Sequence, residues 1–337
     1  MSGGGNKTRK HKVPTAPLFA EHADTEQLAY NLSAFKPGDE IEITLKMHGT
    51  STRTAYLPVL KGYKRTFWDW LLRREGTPVY EYGYVSGTRR TILENWEGGY
   101  YGDNAFREPH CKIFEGKLHR GEAVYAEIVG FTTNGTPIMG SCDNKKLNDK
   151  DFIKQYGPTT TFSYGCHPNP IPALVYGPTG EVRAEAVPQS DLYVYRMTIT
   201  NEDGYVVEYP PPLVRYRCEQ MGVKCVPLLW KGTIPENEEV LYVDKDGDDV
   251  ADADEVAFVK KADPGEWILA KANEYVDGPD PIGKTHLREG VVVRIVNRPK
   301  FAAYKAKSFE FRVLEGIVKA NADAPDLEEA QEISDAE

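Results

Sequence analysis

No apolar run in this chain is long enough to cross a bilayer, and no cationic start followed by an apolar stretch marks a secretory leader. No membrane partner is therefore expected. Disulfide chemistry is also missing. The five cysteines, Cys111, Cys142, Cys166, Cys218 and Cys225, include no Cys-x-x-Cys pair. Odd in number and without a leader, they read as reduced thiols in a cytoplasmic protein. A net positive charge is lacking as well: 51 acids outnumber 41 bases for a net charge of −10, which taken whole argues against a nucleic-acid partner. Its distribution reverses that. Residues 236–255 hold ten acids and one base, and residues 320–337 hold seven acids and no base. Without these two segments the remainder carries a net +6. A mildly basic body can follow a phosphate backbone, because local field matters more than total charge.

At 337 residues the chain can bury a full core. Residues 1–12 are polar and basic and read as a disordered arm. Residues 13–319 read as the folded body and 320–337 as an acidic disordered tail. Within the body, Pro, Gly and Asn concentrate over about 142–192, which suggests a loop-rich insertion, and 236–255 suggests an acidic loop. Glu40 to Lys46 alternates with period two, with Ile41, Ile43 and Leu45 on one face and Glu42, Thr44 and Lys46 on the other. Strands are also expected at Val124–Gly130, Glu289–Ile295 and Phe301–Phe309. A hairpin is expected about Asn201-Glu202-Asp203-Gly204, and helices over 66–74, 106–119 and 266–275. Many strands and few helices at mixed spacing imply an α+β chain with antiparallel sheets.

The chemistry concentrates at Lys46-Met47-His48-Gly49. Lys46 ends the polar side of a half-buried strand, where a ligand can reach it. A lysine there, followed closely by glycine, has the form of a covalent nucleotidyl-lysine site. The amine needs a lowered pKa or cationic neighbours to react near neutral pH, and the glycine lets backbone approach a nucleotide. Further along come Ser86-Gly87-Thr88-Arg89-Arg90, Glu127 in Tyr125-Ala126-Glu127-Ile128, the aromatic run Tyr193-Val194-Tyr195, Glu289-Gly290-Val291-Val292-Val293-Arg294 and Lys305-Ala306-Lys307-Ser308.

In this order the stretches resemble the covalent nucleotidyltransferase superfamily of polynucleotide ligases and capping enzymes. The nearer likeness is to the RNA ligase 2-like, ATP-dependent RNA ligases, which carry histidine at the position of His48. The resemblance spans roughly residues 40–315. It implies a nucleotidyltransferase (ATP-grasp-like ligase) domain of antiparallel sheets flanked by helices, with the nucleotide in a groove between sheets. Lys46 would take AMP from ATP. Lys305 and Lys307, on one face of a strand, would neutralise phosphate, with Lys307 the implied α-phosphate contact. Arg89, or else Arg90, would hold phosphate oxygens. Glu127 would meet the sugar or support a metal site, Tyr195 would stack on adenine, and His48 would hydrogen-bond ribose or a terminal hydroxyl. Glu289 would belong to a Mg²⁺ or Mn²⁺ site. The implied partners are RNA ends, a nicked duplex or an RNA–DNA hybrid, met by a monomer. The implied role is RNA repair, possible in a virus as well as a cell. The departures are the absence of an OB-fold-sized segment before Lys46 and the short stretch after Lys307. DNA ligase, RNA-capping guanylyltransferase and an inactive nucleotide- or RNA-binding relative are the alternatives.

Three other signals are weaker. Gly278 to Thr285 matches the Walker A letters, but a strand follows it where a helix is required. Asp244 to Glu255 resembles a calcium loop but holds Asp249 where the turn needs glycine. His110-Cys111 and Cys166-His167 lack tight zinc spacing. Finally, Lys61 to Trp70 with Arg73 and Arg74 mixes bases and aromatics; a packed insertion helix is expected there, with an RNA-contacting surface as the alternative.

Overall fold

The computed structural model describes residues 13–22, 24–102, 104–176, 182–235, 240–242, 256–258 and 263–316. The basic arm, the acidic tail and the calcium-loop-like run lie outside the described residues. Two antiparallel sheets face one another. The first has five strands in the order Glu26–Gln27, Ala302–Lys307, Gly290–Ile295, Glu40–Lys46 and Leu228–Thr233, and only its first pair is parallel. The second runs Val206–Glu208, Ser190–Thr200, Glu122–Gly130, Thr50–Lys64 and Thr77–Gly87, with Lys224–Cys225 added beside Ser190–Thr200. The architecture is α+β, as the element pattern implied.

Period two decides which side chains enter the space between the sheets. On the first sheet, Ile41, Ile43, Val291, Val293 and Ile295 turn outward and pack with Leu28 and Phe35. The same core takes Ile268, Ala272 and Val276 of the helix Pro264–Val276. Asp263 caps that helix by accepting from the amides of Gly265 and Glu266. On the second sheet, Val124, Ala126, Ile128, Leu192, Val194 and Met197 pack outward against Phe106, Phe114 and Val214 and Met221 of the helix Pro211–Met221. Each sheet thus buries an apolar face under helices and leaves its mixed face to the intervening cleft.

The long hairpin Thr50–Lys64 and Thr77–Gly87 was not legible in the sequence, partly because Pro58 breaks its pattern. Only Arg53–Ala55 is paired on both sides. Pro58 pairs with Tyr82 where the strand has left the Glu122–Gly130 strand, so its missing amide interrupts no ladder on that edge. The 142–192 segment holds more order than its Pro and Gly content suggests. It contains the helix Lys150–Tyr156 and the paired strands Ile171–Tyr176 and Val182–Val187, and it sends Phe162 and Tyr164 into the core.

One buried ion pair ties the second sheet to its helix. The Glu122 carboxylate accepts from Arg217 at 3.0 and 2.8 Å, from Tyr209 Oη at 3.0 Å and from the His119 amide at 2.7 Å. Burial would raise the Glu122 pKa, but these donors, Arg217 foremost, hold it below the ordinary carboxylate value. Its contribution is therefore present above the unfolded pKa and is lost as pH falls through the folded one. Glu122→Gln strands the Arg217 charge and should cost about 3 kcal/mol in urea unfolding; an unchanged midpoint would refute this.

Candidate active site

Three strands set the chemistry abreast. Lys46 pairs with Gly290, and Gly290 pairs with Lys307. With no side chain between them, the two lysines converge on the carboxylate of the preceding residue. Glu289 Oε1 lies 2.7 Å from Lys46 Nζ and 3.2 Å from Lys307 Nζ. Lys307 also pairs with Glu315 at 3.1 Å. One register step further, Thr44, Val292 and Lys305 share a row, and beyond it Glu42, Arg294 and Ala303. All of these except Gly290, Glu289, Lys307 and Glu315 line a cleft between the sheets. Its opposite wall includes Glu127, Tyr195, Arg89 and His22, and Pro211, Val214, Arg215 and Val226 close one end.

The structure brings most of the expected residues to the cleft and places the others behind it. Lys46, Arg89, Glu127, Tyr195 and Lys305 line the cleft. Arg89 has 14% of its side chain exposed and Arg90 50%, and both reach Asp24 at 3.0 Å. Arg89 is thus the arginine on the cleft. Lys305, rather than Lys307, opens onto it; Lys307 is buried between Glu289 and Glu315. His48 does not meet the cleft either. It is buried, edge-on to Phe162 and Phe311 at 4.5 and 4.8 Å, with Nδ1 3.7 Å from Glu289. Its backbone amide donates to Tyr164 Oη at 2.7 Å. That geometry suits a residue that positions Glu289 and the lysine turn.

Gly49 is required by the protein's own packing. A Cβ there would lie 2.4 Å from the Ile128 carbonyl oxygen and 3.0 Å from Glu127 Cγ. The close approach is to the Glu122–Gly130 strand, and it draws Glu127 up to the lysine turn. The following residues are pinned by buried Arg107, which donates to the Ser51 carbonyl at 2.8 Å and to Thr50 Oγ1 at 2.6 Å. No sequence signal pointed to Arg107.

A β-bulge between Val194 and Arg196 turns Tyr195 and Arg196 toward the same side. The Tyr195 hydroxyl lies 3.2 Å from Ser51 Oγ. Burial, then the Glu127 charge, pushes its phenol well above the ordinary range. Arg196 stacks on Tyr125 and Phe301 at 4.6 and 4.5 Å and donates to His22 Nδ1 at 3.1 Å. The sequence reading missed this cluster, whose members lie far apart in the chain. Burial, then the Arg196 charge, holds His22 well below its usual pKa. The unfolded chain takes up that proton first, so stability present above pH ~6.5 falls as pH drops toward the folded value. His22→Asn should flatten the decline in urea midpoint below that pH, and an unchanged slope would refute the assignment.

As for a metal, the donor set is sparse. Among the described residues no group of three or more His, Cys, Asp and Glu could hold an ion. Of the two carboxylates expected near an ion, Glu127 lines the cleft, while Glu289 is buried behind it on Lys46 and Lys307; they make no closed protein cage, and an ion here would keep most of its waters and bind chiefly to nucleotide phosphates. The same finding leaves the two His-Cys pairs without a zinc site; His110 instead meets Ser190 Oγ at 2.8 Å. The Walker-like loop folds onto its own Asp280. That carboxylate takes the amides of Gly283 and Lys284 at 2.6 and 3.3 Å, the groups a phosphate would need.

No protein-family model matches the chain, and no curated protein matches it. Solved structures similar to it include RNA ligase of Naegleria gruberi. A mutant of that enzyme with ATP and manganese gives TM-score 0.45 at 16% identity, covering 88% of this chain and 58% of its own. The form with pyrophosphate gives TM-score 0.44 at 14% identity, covering 91% and 59%. An apo mutant gives 0.44 at 16%, covering 92% and 65%. This chain therefore spans less than two thirds of the length of those structures.

Proposed function

We propose that the chain is an ATP-dependent RNA ligase working through a lysyl-AMP intermediate. The observation that carries this reading is the row Lys46, Gly290 and Lys307, with both lysines on the buried Glu289 carboxylate and Lys46 opening on a cleft that also holds Lys305, Arg89 and Glu127. Lys46 Nζ, after losing a proton, attacks the α-phosphorus of ATP. A P–N bond forms, the bond to the bridging oxygen breaks, and pyrophosphate leaves. A 5′-phosphate oxygen of RNA then displaces the lysine, and a 3′-hydroxyl oxygen attacks that 5′-phosphorus as AMP departs.

Such chemistry needs positioning and charge neutralisation more than an elaborate proton relay. Lys305 and Arg89 meet phosphate oxygens. Val292 and Tyr195 offer apolar and aromatic surface to the base, with Glu127 at the sugar. Glu289 holds Lys46 in place before nucleotide enters. Bound Mg²⁺ or Mn²⁺, held at Glu289 with help from Glu127, would neutralise phosphate charge.

The test is incubation with α-labelled ATP and Mg²⁺ or Mn²⁺, then denaturing electrophoresis. An acid-labile labelled band at 37.8 kDa, chased by nicked duplex RNA into sealed product, is the expected result. Label from GTP alone would indicate a capping enzyme. No label from either nucleotide, in protein stripped of bound AMP, would leave a binding relative and overturn the proposal.

A further inference from the structure

The hairpin tip does not pack as an insertion helix. The strands Thr50–Lys64 and Thr77–Gly87 pair to their ends, but the supporting strand stops at Ala55. The entry segment braces the hairpin only as far as Leu60 and Tyr80, whose amide and hydroxyl donate to Thr15 and Pro14 carbonyls. Beyond them the tip stands clear. It is closed by the short helix Phe67–Leu71, with a capping box between Thr66 and Asp69. This local device holds the turn without help from the body.

The tip carries Phe67, Trp68 and Trp70, each about two-thirds exposed at 66–67%, with Leu71 and Leu72 exposed at 53% and 54%. So dense an apolar cap on a projecting element marks an interaction surface. Flanking it in the chain are the exposed bases Lys61, Lys64, Arg65, Arg73 and Arg74, against the acids Asp69 and Glu75. The Asp69 carboxylate is engaged by the Thr66 amide and hydroxyl. A basic collar on a chain of net charge −10 calls for an anionic partner.

The rings argue against a nucleic-acid strand. Phe67 meets Trp68 edge-on, at 75°, and Trp70 at 35°, so neither pair forms the parallel slot that clamps a base. Leu71 and Leu72 gain little from bases but much from hydrocarbon. Tryptophan favours the boundary between headgroups and acyl chains, and cations favour the phosphate layer just outside it. We propose that the tip, Lys61 to Gly76, docks the protein on the surface of an anionic lipid bilayer. The five apolar side chains enter the boundary, and Lys64, Arg65, Arg73 and Arg74 meet lipid phosphates. This is peripheral contact, compatible with the absence, among the described residues, of any helix able to span. It is independent of the catalytic reading.

Flotation of the full chain with vesicles of phosphatidylcholine, with and without about 30% phosphatidylserine, tests it. Binding to the anionic vesicles is expected, falling tenfold or more in W68S/W70S. Reversing charge in R73E/R74E should weaken it about thirtyfold or more, from about 1 kcal/mol for each of the two basic residues lost. Far-UV circular dichroism should be unchanged in both. Absence of flotation overturns the proposal, as does equal flotation of wild type and both variants. Loss in the variants of single-stranded RNA binding, or of a concentration-dependent dimer, without vesicle binding would assign the tip to those partners instead.

Discussion

Lys46→Ala should lower nucleotide adduct formation by ~10³-fold or more, because no other amine occupies its place on the strand. The fold should survive. Lys46 is buried, but the Glu289 carboxylate it leaves still has Lys307 at 3.2 Å, so no buried charge is stranded. Lys46→Arg separates nucleophile from counter-ion. A guanidinium can keep the pairing to Glu289 but cannot shed its proton to attack phosphorus. It should therefore fold like wild type and form no adduct. Labelled-ATP gels and urea unfolding of both variants check this. Wild-type label in either would remove Lys46 from the chemistry, and collapse of the fold in both would make it a structural residue.

Gly290→Ala should be the most disruptive single methyl in the site. A Cβ at Gly290 would lie 2.0 Å from the Ala306 carbonyl oxygen and 2.7 Å from Lys307 Cα, and φ there is +154°. Both obstacles are backbone of the adjacent strand, which cannot swing aside as a side chain can. Relief requires parting the Gly290–Ile295 and Ala302–Lys307 strands at the point where Lys46, Glu289 and Lys307 meet. A loss of about 3 kcal/mol is expected from overpacking of this kind. Adenylylation by the folded fraction should fall ~10²-fold, since a displacement near 1 Å has that effect on a positioned reaction. The urea midpoint and the single-turnover rate of label uptake measure the two effects separately. A variant with wild-type values for both would show that the strands part without cost.

Local pattern announced much of the site. Alternation over Glu40–Lys46 put Lys46 on the polar face. The spacing of Lys305 and Lys307 put both on one face, and the β-branched run after Glu289 marked its strand. Such features depend on neighbours in the chain, so they are readable without the fold. The Arg89–Arg90 alternative had no such key; only the course of the turn after Gly87 gives Arg89 the cleft and leaves Arg90 half exposed.

What the sequence alone determined was the α+β class, the polar and apolar faces of the site strands and the set of residue types gathered there. Period-two geometry and side-chain chemistry dictate those. Tertiary structure alone decided that Lys305 opens on the cleft while Lys307 is buried, and that His48 lies behind the site between Phe162 and Phe311. It also decided that Gly49 admits the Glu127 strand, and that His22, Arg196 and Phe301 share one corner. Each depends on cross-strand register, a bulge or a packing partner more than a hundred residues away. Those contacts form between distant segments as the sheets close on one another, so no local pattern encodes them.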